Sequence, residues 1–265
     1  PEQAEFAPDG ATLLITPSPR GNIVKILGEI YRERPRFGIS RDAIVERGVF
    51  FRNRRSTYVG QFATIERGAV IEPDVKIYPY AYIGRNVTIG RGTIVQTGAH
   101  IENATIGAEC VINSGAVIGK DGFGYTRQNG HNIFIPHVGR VVLGDRVSVG
   151  SNTCIDRGAM TDTVVGDGTK IDNLCQIAHG CVIGKECFIA GQTGMAGGCV
   201  IGDRALLAGQ VGLANGVHIG NDAEVGAHSG VFRTVDDGTR AMGYPAVPGM
   251  EFFRQYAWLK KQSKS

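Results

Sequence analysis

One histidine and one glycine stand eighteen residues apart in this chain in a way that could do chemistry. His179 closes the segment IDNLCQIAHG, two residues after Ile177, and Gly197 follows in GMAGG. An imidazole changes its charge near neutral pH and is the commonest side chain for taking up a proton in a transition state. A glycine beside it lets a backbone N–H approach a reacting carbonyl, where a fixed donor stabilises the developing oxyanion. A base and such a donor are the minimum for acyl transfer to an amine. No Ser-His-Asp or Cys-His grouping at comparable register suggests a covalent nucleophile, so direct attack by the acceptor is expected. A surface histidine without function is the plainer alternative. His218 and His228 come behind His179, and His100, His131 and His137 behind those.

The spacing matters only if the chain returns to the same place every eighteen residues. An aliphatic residue recurs at every sixth position from Val165: Ile171, Ile177, Ile183, Ile189, Met195, Ile201, Leu207, Leu213, Ile219, Val225, Val231. The same period runs earlier through Ile65, Ile71, Ile77, Ile83, Ile89, Val95 and Ile101, slips by one residue to Ile106, Ile112 and Ile118, and resumes at Leu143, Val149 and Ile155. Neither 3.6 nor 2 explains six. Six residues are one short strand and one corner, and three such sides make a triangular coil of eighteen. Coils then stack at the inter-strand spacing of about 4.8 Å, with the aliphatic ladder inside. Gly197 therefore falls one coil above His179. The chain is expected to be all-β, a parallel β-helix of hexapeptide repeats.

Composition agrees. The 39 glycines among 265 residues are about twice the usual ~7%, yet Gly-X-Y periodicity is absent, which excludes collagen. Many follow a ladder residue, as Gly84, Gly90, Gly107, Gly144, Gly166, Gly184 and Gly202 do, where a corner needs positive φ or close backbone approach. A net charge of +3 is far from the footprint of a nucleic-acid binder, and no run approaches the ~20 apolar residues of a membrane span. At most peripheral membrane contact is expected. The chain starts at Pro1 without a signal-peptide pattern, so a cytoplasmic protein is expected, with an organellar one after leader removal as the alternative.

Cys110, Cys175, Cys181, Cys187 and Cys199 each precede a ladder residue by two and should be small buried free thiols. Their spacing and the lack of a CxxC pair argue against zinc, and no metal is expected. Outside the repeat, Ala11 to Ile15 reads as a strand and Asn22 to Glu33 as a helix with Ile23, Ile26, Leu27 and Ile30 on one face. Eight arginines between Arg32 and Arg55 form a solvated face or a surface for an acidic partner. Lys120 to Arg140 breaks the register and should be a loop thrown out from the coil. Gly249 to Lys261 reads as a second helix that caps the open end. Because aliphatic side chains fill the coil, any site lies outside, and a groove deepens by pairing subunits.

DGFGY at 121–125, GRVVLGDRVSVGSNTCIDRGAM, DTVVGDGTKIDNLCQIAHG and GYPAVP at 243–248 resemble the UDP-3-O-(3-hydroxyacyl)glucosamine N-acyltransferases of lipid A biosynthesis. The likeness runs from about Ile39 to Lys261. It implies a left-handed β-helix, against the usual right-handed crossover. It also implies a homotrimer with sites between subunits. The partition implied is 1–38 as the remnant of an N-terminal nucleotide-binding domain, 39–248 as the acyltransferase β-helix with its excursion at 120–140, and 249–265 as a C-terminal helix.

By the same resemblance His179 is the general base that takes a proton from the glucosamine 2-amino group as it attacks the thioester on acyl carrier protein. Gly197 is the oxyanion donor, and Asp172 and Asn173 orient the base or the UDP-amino-sugar substrate. Arg233 contacts the acidic carrier protein, with Lys260 and Lys261 adding charge. No cofactor is implied, because the acyl group rides on the phosphopantetheine of the carrier. Two positions depart from the pattern: Gly216 stands where a second histidine is usual, with His218 displaced by two, and Gly180 where an asparagine is usual. The alternatives are an acyl-coenzyme A-dependent sugar acyltransferase and a non-catalytic β-helix lacking a complete uridine-binding domain.

Overall fold

The computed structural model describes residues 8, 10, 16–30, 36–243 and 247–262. The strand expected at Ala11 to Ile15 lies outside the described residues. The chain separates into two compact units, 1–36 and 37–265. In the first, α1 spans Pro19–Ile30. It starts three residues before the expected Asn22, because Pro19 suits the first helical position, where no N–H is needed, and the Ser18 carbonyl accepts from the Asn22 N–H at 3.1 Å. Ile23, Ile26, Leu27 and Ile30 on α1 are exposed.

The second unit is a parallel β-helix. Among the described residues its two- and three-residue strands stack into three faces. The first face has eleven strands from Gly38–Ile39 to Arg240–Ala241, the second ten from Ile44–Val45 to Gly230–Val231, and the third nine from Phe50–Phe51 to His218–Ile219. All twelve residues of the long ladder, from Val165 to Val231, are buried, none more than 8% exposed. Alternation within a strand then turns the preceding residue outward.

Register shows where the eighteen-residue coil holds. Gln176 pairs with Gly194 and Gly194 with Gly212, each eighteen residues on. Gly38 pairs with Tyr58, a twenty-residue step, and His100 with Val117, a seventeen-residue step that accounts for the slip. Val117 pairs with Cys154 across thirty-seven residues, and Cys154 with Gln176 across twenty-two. Insertions leave at corners and return in register, so the ladder is never broken.

The excursion is more ordered than a loop. Tyr125–Gln128 and His131–Phe134 pair antiparallel as a hairpin. Asn129 and Gly130 at its tip have φ of 51° and 80°. Two successive positive φ values match the twist of the flanking strands, and Asn-Gly is the residue pair that adopts them most easily.

Corner glycines serve mainly close approach. A Cβ added at Gly107 would lie 2.3 Å from the Gly144 carbonyl oxygen, and one at Gly166 would lie 2.6 Å from the Gly184 carbonyl carbon. Positive φ falls later in the corner, often on residues with side chains, such as Leu174 at 59° and Gln192 at 62°. The buried cysteines are free, as expected. Their thiols donate to corner carbonyls, Cys187 to Gly202 at 3.0 Å and Cys199 to Ala214 at 3.2 Å, as Thr169 does to Gly184 at 2.8 Å. Burial pushes the Cys110, Cys175 and Cys187 thiols upward, which keeps them protonated.

Helix α2, Gly249–Gln262, buries none of its residues. The expected cap over the last coil is therefore not formed within one chain. Phe252, Phe253, Tyr256, Trp258 and Leu259 stay exposed.

Candidate active site

His179 occupies the corner between the second and third faces, directly after the strand Gln176–Ile177. Gly197 holds the equivalent corner one coil on, and the two meet. A Cβ at Gly197 would lie 2.6 Å from His179 Cε1, 2.8 Å from Nε2 and 3.1 Å from Nδ1. The imidazole therefore fills the space a side chain at 197 would take. Around it the corners are tied by backbone, with the Gly198 N–H donating to the His179 carbonyl at 3.0 Å and the Gly216 N–H to the Gly197 carbonyl at 3.1 Å. The Gly197 N–H donates to no partner among the described residues. Partial burial and then the neighbouring His137 hold His179 below the ordinary histidine value, which favours the neutral, proton-accepting form.

His137 is the residue that sequence reasoning set aside. The returning segment of the excursion carries it against His179, with ring centroids 5.1 Å apart and planes at 85°. It is 4% exposed. Its Nδ1 lies 2.9 Å from the Ile135 carbonyl oxygen, which only accepts, so Nδ1 carries the hydrogen. Nε2 is buried with no hydrogen-bond partner among the described residues. Phe134 stacks on the ring at 5.9 Å, and a Cβ at Gly124 would come within 2.4 Å of His137 Cε1.

Asp156 completes the cluster. It accepts from Gln176 Nε2 at 2.8 Å. Burial pushes its pKa up to about 6, against smaller opposing effects of His137 and the Gln176 hydrogen bond. A Cβ at Gly122 would sit 2.9 Å from its Oδ2. Next to it, Arg157 Nε donates to the Gly139 carbonyl at 2.7 Å and Nη1 lies 3.8 Å from Asp121 Oδ1, fastening the root of the excursion. DGFGY, IDRGAM and QIAH, distant in sequence, thus converge on one corner. The only sequence signal for His137 was its place just before the ladder resumes at Leu143.

The other predicted residues lie apart. Asp172 and Asn173 form the corner on the opposite edge of the second face, with the strand Gln176–Ile177 between them and His179. Asn173 Oδ1 accepts from the Ser151 N–H at 2.7 Å, and its Nδ2 donates to Asp172 Oδ1 at 2.9 Å. The pair does not orient His179 within one chain. Asn173 instead lines an open groove of about 340 Å³ with Gly191, Gly209 and His228. Arg233 is exposed in the corner column of His179, three coils further, about 14 Å at ~4.8 Å per step. Lys260 lies in the last turn of α2, outside the cluster. His218 faces outward on the third face, away from His179. Between the two corners, Gly194, Gly212 and Gly230 give the second face outward positions without side chains.

Stacked coils with a histidine seated on a glycine define a β-helix of hexapeptide repeats. Residues 162–197 match the family model Bacterial transferase hexapeptide (six repeats), and 55–160 match GMPPB C-terminal domain. The fold is similar to that of the UDP-N-acetylglucosamine acyltransferase of Arabidopsis, with a TM-score of 0.71 and 25% identity over 82% of this chain and 76% of that one. Within that class, the chain is similar to proteins named UDP-3-O-acylglucosamine N-acyltransferase. The one from Azorhizobium caulinodans is 56% identical over 168 residues, 63% of this chain and 47% of that protein. The one from Rhizobium meliloti is 51% identical over 170 residues, 64% and 48% respectively. The chain spans about half the length of the curated relatives it matches.

Proposed function

We propose that this protein transfers a 3-hydroxyacyl chain from acyl carrier protein to the 2-amino group of UDP-3-O-acyl-glucosamine, as a step of lipid A biosynthesis. The observation that carries the reading is the His179 imidazole seated on Gly197, in a repeat up to 56% identical to proteins so named. Neutral His179 accepts a proton from the amine as its nitrogen attacks the thioester carbonyl. The Gly197 N–H donates to the oxyanion of the tetrahedral intermediate. Collapse breaks the C–S bond, the amide remains on the sugar, and the leaving thiolate takes the proton from His179. Neither a metal nor a cofactor enters these steps; the acyl group is brought on the carrier's phosphopantetheine.

Two features support the partners. Gly194, Gly212 and Gly230 leave a bare strip beside His179 along which a linear chain can lie. Arg233 at the far end of the corner column offers a cation to an acidic carrier. Asp172 and Asn173 sit on the opposite edge of the face, so they serve a site only where two subunits meet, which fits a homotrimer. The test is an acyl-transfer assay with UDP-3-O-acyl-glucosamine and either acyl carrier protein or coenzyme A as donor. Transfer from the carrier, lowered about 10²–10⁴-fold in His179→Ala with the assembly intact, is expected. Transfer by neither donor, or wild-type turnover in the variant, overturns the reading.

A further inference from the structure

Burying an imidazole nitrogen without a partner costs free energy, so an orphan of this kind beside a candidate catalytic residue calls for an explanation. His137 Nε2 is such an orphan, and the surroundings of the ring are fully fixed. Ile135 holds Nδ1, Phe134 covers one face, Gly124 leaves room for Cε1, and His179 packs edge to face. In the neutral ring the orphan is an acceptor, because Nδ1 holds the hydrogen. The titratable groups on which the charge of this ring acts are His179 and Asp156, while Arg157 and Asp121 stand at the root of the excursion.

We propose that His137 is a positioning residue for His179: delivered by the excursion, it packs edge to face on the catalytic ring, fixing its orientation and keeping it neutral until substrate arrives. Placing a proton on His179 puts a cation in a partly buried place beside a second imidazole, where burial disfavours the charged form. Protonation of His179 and of His137 oppose one another, the behaviour of two like charges in one site. Geometry supports the pairing, since the two rings meet edge to face at 5.1 Å and the Ile135 carbonyl holds His137 Nδ1.

This rests on the reading of His179 as the base, and the experiment separates the two. The His179 Cε1–H resonance is titrated by NMR in the wild type, His137→Gln and His137→Phe, and the pH profile of kcat/KM is recorded alongside. Glutamine keeps a polar group but carries no charge; phenylalanine keeps the stacking on Phe134 and removes both nitrogens. The expected result is a His179 midpoint raised by about half a unit to one unit in both, with the acidic limb of kcat/KM moving by the same amount and KM for the sugar within about twofold. An unmoved midpoint, or a kcat loss equal at every pH, overturns the proposal. If one variant fails to fold, the other decides. The wild type supplies a reading that needs neither: ¹⁵N spectra should show the neutral form of His137 with hydrogen on Nδ1, and hydrogen on Nε2 in that form would overturn the assignment. Absence of acyl transfer with a raised midpoint sinks only the function; transfer with an unmoved midpoint sinks only the role of His137.

Discussion

The ring of His179 lies where a side chain at position 197 would have to be, 2.6 Å from the place of its Cβ. The two residues are eighteen apart in sequence and adjacent in space because one coil separates them. Adding a methyl group at 197 therefore acts on the histidine before it acts on the fold.

Gly197→Ala should cut acyl transfer by about a hundredfold, the loss that follows from misplacing a catalytic group by an ångström. Because the colliding atoms belong to a half-buried ring that can turn outward, stability should change by less than about 1 kcal/mol. Steady-state kinetics and a thermal melt on the same preparation check both.

Burial and His137 hold the His179 pKa down, so the acidic limb of kcat/KM should fall below the ordinary histidine value of about 6.5. The same shift means that the unfolded chain binds this proton more readily, so His179 destabilises the fold as pH falls through that region. A rate profile between pH 5 and 8 with a limb above 6.5 would contradict this.

Asp156 behaves oppositely. Its pKa rises from 3.8 to about 6, so the folded state binds its proton more tightly than the unfolded chain does. That stabilisation is complete below the unfolded value and is lost as pH rises through about 6. Asp156→Asn should therefore gain in Tm relative to the wild type on going from pH 4 to pH 7. A Tm difference that does not change with pH removes the basis for a buried carboxylate.

The inward cysteines answer to chemical modification. Cys110, Cys175, Cys181, Cys187 and Cys199 should resist a thiol reagent in the folded protein and react after denaturation, whereas the partly exposed Cys154 should react first. Cys187→Ser keeps a donor for the Gly202 carbonyl and should be better tolerated than Cys187→Ala, which loses about 1 kcal/mol.

Two glycines on the coil should part company. Gly166→Ala drives a Cβ to 2.6 Å from the Gly184 backbone and should cost about 1–3 kcal/mol by denaturant unfolding. At Gly212 a Cβ meets nothing within 4 Å. Alanine there should fold normally and act instead on transfer of long acyl chains, as measured by KM for the donor.

The ladder was legible because a buried side chain every six residues leaves a mark that no helix or meander produces. Contact between His179 and Gly197 was legible for the same reason, since coils from Val165 onward keep to eighteen. His137 was not, because it lies inside a thirty-seven-residue step that defeats such arithmetic. The hairpin that carries it is readable in Asn129-Gly130, a pair that favours the tight turn. Asp172 and Asn173 are near His179 in sequence, yet the intervening strand sends the two corners to opposite edges of a face. The cap expected of α2 failed because an apolar stripe shows that a helix can bury a face and leaves open what the face is buried against.

His179 and Arg233 share one corner column, and every step along that column is a strand spacing. Separations between groups on it are thus available only in whole increments of about 4.8 Å. Adding or deleting one eighteen-residue unit between them would shift one group by a single notch and leave the chemistry at each end as it was. The column is a graduated scale, and fitting it to a donor arm of a given reach is a matter of counting coils.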